Sequence, residues 1–296
     1  MSEKKQGRLL RALQGAAGYA LALLLALLLA AACVLTLAEQ LLTNQELHER
    51  VALDGRVLDA QSARVEEAVR ELAKEYHFAP EAALDLASQE NMAEYGREMV
   101  AWWMGLMGEE PDTEAPFPDT SAVEEAVRAD ELFCESTEVF MRKSIARDEV
   151  AYPIGLAVQE SVMPLRMSLI SLGLPEVAAR ADIPALFGLL GTAKTVLFGL
   201  SAALLILLLL TQGRRRFLFG SAGLMAAFVL LAVMTAALAA ADLPTAMTEY
   251  SPILALQLGI LLGELTAPVL LAEGAVLLLG ALLLALWVRA AGRKRA

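Results

Sequence analysis

Four stretches of this chain, residues 16–38, 185–210, 217–240 and 267–288, are nearly free of polar side chains, and each is longer than twenty residues. A bilayer's hydrocarbon core, about 30 Å thick, is crossed by a helix of about 20 apolar residues. Backbone inside it must satisfy its own hydrogen bonds, which leaves the helix as the solution for isolated apolar runs. The expected fold class is therefore an all-α membrane protein with four transmembrane helices and a large extracytoplasmic helical domain between the first and second.

Charge supports that division. The chain is 57% hydrophobic yet 20% charged, so the two classes must be segregated. Residues 39–182 hold thirty Asp/Glu against twelve Lys/Arg, and the rest of the chain holds five against twelve. Such an acidic block repels phosphate backbones, so nucleic acid is not an expected partner. The lipid bilayer is.

Three basic clusters punctuate the apolar runs: Lys4, Lys5, Arg8 and Arg11; Arg214, Arg215 and Arg216; and Arg289, Arg293, Lys294 and Arg295. Short basic loops are retained on the cytoplasmic side. The expected layout is a plasma-membrane protein with residues 1–15, 211–216 and 289–296 cytoplasmic, both termini inside, and 39–184 and 241–266 outside. The apolar stretch 253–262 sits oddly in that second outer loop. Too short for a further crossing, it reads as an interfacial or re-entrant helix, with Pro268 marking the turn into the last span.

Ala30-Ala31-Ala32-Cys33 resembles the end of a lipoprotein signal, whose cysteine accepts lipid. The apolar run nevertheless continues through Ala38, and 16–38 spans about 35 Å as a helix. A permanent anchor is expected, with lipidation of Cys33 the alternative. A disulfide from Cys33 to Cys134 is not expected, because the first lies in the apolar run.

The acidic block shows helical periodicity. Val65, Val69, Leu72 and Tyr76 share one face; Met92, Met99, Trp103, Leu106 and Met107 make a second stripe. Ser121 and Glu124 form the capping-box pattern S-A-V-E, expected to open one long helix bearing Val127, Phe133, Cys134, Phe140 and Met141 on its apolar side. The proline-rich stretch 109–120 reads as a loop. A fourth stripe, Ile154, Val158, Val162, Leu165, Leu169 and Leu172, carries Pro164 as a kink and ends at Gly173 and Pro175, and Asp182 is the expected cap of the second span.

Chemistry-bearing residues are sparse. His48 and His77 have no metal-ligand spacing around them, and no nucleophile elbow, phosphate loop or dinucleotide fingerprint occurs. Cys134 on an apolar stripe reads as core. Met99, Met104 and Met107 beside Trp102 and Trp103 read as a methionine-aromatic core rather than thioether ligands. Asp112, Glu114 and Asp119 read as a solvated acidic loop. No catalytic residue, cofactor or metal is expected. Charges within the apolar segments are the sharper signal: Lys194 and Glu273 fall at similar depth counted from the basic clusters. An intramembrane Lys194–Glu273 pair is expected, with Glu264 the alternative partner.

The layout of one span, an outer domain and three more spans resembles that of cell-division permease-like subunits of the FtsX type, which implies a cytoplasmic ATPase partner. It is also similar to that of lipoprotein intramolecular acyltransferases, although no histidine occupies the outer loop between spans three and four. Both likenesses are of layout alone. The leading expectation is a non-enzymatic membrane protein whose outer domain binds a protein partner or signal in the envelope. A permease-like subunit is second and a membrane-embedded lipid or acyl-transfer enzyme third.

Overall fold

The computed structural model describes residues 3–106, 114–162, 164 and 183–292, and every regular element among them is helical. In chain order these are α1 (Glu3–Thr43), α2 (Gln45–Ala52), α3 (Gly55–Tyr76), α4 (Glu81–Leu84), α5 (Gln89–Gly105), α6 (Ser121–Ala129) and α7 (Glu131–Ser136). There follow α8 (Arg142–Ser144), a π-helical turn (Ile145–Ala151), α9 (Tyr152–Val162), α10 (Ile183–Thr211), α11 (Arg216–Ala240), α12 (Leu243–Thr248) and α13 (Pro252–Gly292). Four helical stretches are long and apolar enough to cross a membrane: Leu13–Thr43, Ala185–Thr211, Arg216–Thr248 and Pro252–Ala291.

The chain divides into two compact units, one made of Met1–Leu42, Ala185–Asp242 and Gly263–Ala296, the other of Thr43–Pro184 and Leu243–Leu262. Counted over those bounds, the first has five Asp/Glu and twelve Lys/Arg, the second thirty and twelve. Packing and charge thus draw the same boundary.

In the first unit, small residues let helices approach. A Cβ built on Gly223 of α11 meets the carbonyl oxygen of Ala22 in α1 at 2.9 Å, and one on Gly18 meets the Phe219 ring at 2.6 Å. Within lipid there is no hydrophobic drive between helices, so such contacts and van der Waals packing hold them. Phe219, Leu25 and Leu208 form a small buried cluster, with Tyr19 edge-on to Phe219 at 5.0 Å. Much of the remaining surface is apolar and bare, including Leu210 at 76% exposure and Leu271 at 75%. Hydrocarbon, not water, is the solvent that tolerates it.

Pro268 does not end a helix as the sequence suggested. It lies inside the 41-residue α13, which is continuous from Pro252. A proline lacks one N–H and so forgoes a single rung of the i→i−4 ladder; the rungs on either side carry the helix through. At 1.5 Å per residue α13 is about 62 Å long.

The second unit has a larger core. Val65 and Val69 of α3, Met92, Met99 and Val100 of α5, Phe133 of α7, and Ile154, Val158 and Val162 of α9 are all almost fully buried, with Leu72, Tyr76, Trp103 and Met104 packed around them. Asn44, Asp54 and Ser88 cap α2, α3 and α5 through their side-chain oxygens, and His77 closes α3 in the left-handed conformation (φ 54°). The stretch 253–262 belongs here: Ile253, Leu254 and Ala255 are buried, and Gln257 Nε2 donates to the Val162 carbonyl at 2.9 Å.

The expected long helix from Ser121 is two short ones. Ser121 is the first helical residue rather than the cap, and its N–H donates to Asp119 Oδ1 at 2.9 Å. Asp130 then accepts from Phe133 N–H at 3.0 Å, capping α7, while its other oxygen accepts from Ala79 N–H at 3.1 Å. A carboxylate that satisfies two backbone donors favours a break there over a continued helix. Phe133 therefore reaches the core, while Phe140 and Met141 do not. Cys134, expected in the core, is half-buried, with its thiol donating to the Arg128 carbonyl at 3.4 Å. Met107, Asp112, Leu165, Leu169, Leu172, Gly173, Pro175 and Asp182 lie outside the described residues.

Candidate functional site

In the acidic unit the candidate is the turn that follows α7. Phe133, fully buried, roots that helix, and Ser136 Oγ donates back to the Phe133 carbonyl at 3.1 Å. Arg142 then folds over the turn: Nε donates to the Thr137 carbonyl at 3.1 Å and Nη2 to the Cys134 carbonyl at 2.5 Å. Met141 N–H closes the loop on the Glu138 carbonyl at 2.9 Å. Held this way, residues 139–141 stand out from the surface, with Val139 76%, Phe140 80% and Met141 42% exposed, and Leu132 on α7 57% exposed.

Such a cluster is unusual on a water-facing surface, because each large apolar side chain forgoes about 1.5–3 kcal/mol available from burial. A turn clamped by an arginine has also lost its conformational entropy before any partner arrives. Exposed Glu131, Glu135 and Glu138 neighbour the apolar residues along the chain, and the Arg142 guanidinium is occupied by the two carbonyls. The tip is thus an apolar knob within acidic sequence. The sequence reading missed it by assigning Phe140 and Met141 to a core stripe; the signal available was Asp130, a strong capping residue interrupting the periodicity.

Elsewhere in this unit, Tyr95 Oη (2.5 Å) and Gln159 Nε2 (2.8 Å) both donate to the Pro116 carbonyl. Burial pushes the Tyr95 phenol well above its ordinary range. These contacts tie the end of the 109–120 loop to α5 and α9.

In the membrane unit, the expected Lys194–Glu273 pair is replaced by two separate contacts. Lys194 Nζ pairs with the carboxylate of Glu39 near the end of α1, both side chains being about a quarter exposed. Glu273, 7% exposed, accepts from Thr235 Oγ1 at 2.6 Å. Glu264 is exposed on α13. Counting residues from a basic cluster gives distance along a helix but not the direction in which a side chain leaves it, and Glu39 lies in the last turns of α1.

Among the basic residues read as topology signals, Lys4, Lys5, Arg8 and Arg11 lie on the first turns of α1, and Arg214 and Arg215 form a 3₁₀ turn. Arg216 stacks on Phe217 at 4.7 Å, and Arg289 sits in the last turn of α13. Arg293, Lys294 and Arg295 lie outside the described residues. Met99 is buried in the core, and Glu114 and Asp119 lie within the 109–120 loop. Among the described residues no three of His, Cys, Asp and Glu converge as metal ligands, His48 and His77 included. No protein-family model, curated protein or solved structure matches this chain.

Proposed function

We propose that the chain is a multi-pass plasma-membrane protein with both termini cytoplasmic, whose acidic helical domain lies outside and binds an envelope protein through the apolar tip at Leu132, Val139, Phe140 and Met141. The observation that carries this reading is the tip itself: consecutive large apolar side chains held out by a clamped turn, in a domain whose other large hydrophobics mostly form a core. The expected partner surface is an apolar pocket rimmed by Lys or Arg, because a unit with thirty acidic and twelve basic residues is attracted to positive potential and repelled by an anionic lipid surface. The domain acts as a non-enzymatic receptor or scaffold. The short cytoplasmic segments pass any signal to another membrane or cytoplasmic protein.

Site-specific photo-cross-linking in intact cells tests this. A photoreactive residue at Phe140 should give one discrete adduct that a probe at exposed Glu71 does not, and Val139→Asp should abolish it. Equal labelling from both positions, or an adduct indifferent to Val139→Asp, defeats the proposal. Labelling of Thr137→Cys by an impermeant maleimide in intact cells checks the orientation, and protection until lysis would reverse it.

A further inference from the structure

We propose that the membrane unit holds a binding site for a primary alkylammonium group, with Glu273 as its counter-charge. A cavity of about 190 Å³ lies among α1, α10, α11 and α13, and its wall includes Thr36, Gln40, Phe198, Pro268 and Glu273. Glu273 is 93% buried, and the one hydrogen-bond partner it has among the described residues is the Thr235 hydroxyl. That hydroxyl owns a single hydrogen, yet stands within bonding distance of two acceptors, Glu273 Oε1 at 2.6 Å and the Leu231 carbonyl at 3.0 Å. A carboxylate can accept about four hydrogen bonds, so this one receives at most a quarter of its capacity from the described residues. Lys194, the partner that the sequence suggests for it, is committed to Glu39. A buried carboxylate left in this state costs several kcal/mol, and a positive ligand relieves it.

The cavity's chemistry selects the class of ligand. One carboxylate, one hydroxyl and one amide are too few oxygens for calcium, which takes six to eight, or for octahedral magnesium. They do suit an ammonium with three N–H donors: Glu273 accepts one, Gln40 Oε1 is a second acceptor, and Thr36 Oγ1, whose own hydrogen goes to the Ala32 carbonyl at 2.9 Å, is a third. Phe198 adds an aromatic face of the kind that attracts organic cations, and Pro268, Val269 and Ala272 give an apolar bed for attached methylenes. The cavity exceeds a bare ion in size and falls far short of a whole lipid. Glu273 precedes Arg289 by sixteen residues, about 24 Å along α13, which from one face of a core about 30 Å thick brings it near the opposite headgroup level. The ammonium therefore comes either from an ethanolamine headgroup or from a free amine.

Native mass spectrometry of the full chain released from detergent tests this, using dioleoyl phosphatidylethanolamine and dioleoyl phosphatidylglycerol, which share acyl chains and differ in headgroup charge. The expected result is at least tenfold preferential retention of the ethanolamine lipid, reduced to the glycerol lipid's level in Glu273→Gln. A thermal-shift titration with free ethanolamine forms the second arm. Stabilisation by the free amine that is lost in Glu273→Gln, without lipid preference, supports the site and assigns the soluble source. Should Glu273→Gln not fold, the double variant Thr36→Val with Gln40→Leu, on a part-exposed wall, is expected to weaken retention at least fivefold. Equal retention of both lipids with no effect of free amine overturns the proposal, as does binding unaltered in these variants.

Discussion

Lys194 and Glu39 offer the most direct test of the membrane unit, because the sequence alone points Lys194 at a different carboxylate. In the structure its ammonium meets Glu39, each side chain about a quarter exposed. Two unit charges about 3 Å apart attract by about 5 kcal/mol at an effective dielectric of about 20. Desolvation and side-chain ordering take back much of this, and partial exposure screens more, leaving an expected coupling of about 1–3 kcal/mol. Lys194→Met or Glu39→Gln alone strands the other charge at the bilayer rim, and each is expected to cost about 2–3 kcal/mol. The double variant should cost little more than either single. The assay is reversible unfolding of the detergent-solubilised chain by sodium dodecyl sulfate in mixed micelles, read by tryptophan emission, for all four species of the cycle. A second cycle pairs Lys194→Met with Glu273→Gln and should be additive within about 0.5 kcal/mol. Additivity in the Glu39 cycle, or larger coupling in the Glu273 cycle, would refute the assignment.

Three further outcomes follow from the geometry. Phe133→Ala empties a fully buried site and should cost about 3–5 kcal/mol, whereas Phe140→Ala at 80% exposure should cost less than about 0.5 kcal/mol, both read by thermal melting followed by circular dichroism. Gly223→Val puts a branched side chain against the Ala22 carbonyl, 2.9 Å from the position its Cβ would take. With backbone on the other side unable to yield, a loss of about 1–3 kcal/mol is expected in the same dodecyl sulfate titration. Asp54 caps α3 and is bonded by the Arg56 side chain, chiefly, and by the Arg56 N–H, which hold its carboxyl below the ordinary range. A depressed folded-state value means the contribution is complete above the unfolded carboxyl value of about 4 and is lost as pH falls through the folded one. Hydrogen-exchange protection of the first turn of α3 should therefore drop below about pH 4, and in Asp54→Asn that acid-dependent drop should be absent.

The acidic unit's tip and the membrane cavity have a common physical origin. Each is a place where the chain leaves a group poorly matched to its surroundings, exposed apolar side chains at 139–141 and a buried carboxylate with one hydroxyl donor among the described residues at Glu273. In both proposals a partner or ligand relieves that cost. That logic distinguishes them from the many exposed leucines of the four long helices, whose solvent is lipid.

Much of the architecture is legible in the amino-acid order. Four apolar runs longer than a bilayer is thick, separated by one strongly acidic block, determine four long helices and a separate helical unit. That inference needs only the cost of an unsatisfied backbone in hydrocarbon. The periodicity of Val65, Val69, Met92, Met99, Ile154, Val158 and Val162 likewise identifies side chains that are buried, because helical spacing is a local property. What tertiary structure decided is which way competing local signals resolve and which distant groups meet. Ser121 and Asp130 both carry capping chemistry; the break falls at Asp130 because Ala79, 51 residues away, supplies its second donor. Pro268 reads as a stop, yet one missing N–H cannot end a helix whose apolar neighbours on both sides remain bonded. The pairing of Lys194 with Glu39 rather than Glu273 depends on helix rotation and packing, which spacing along one chain does not encode.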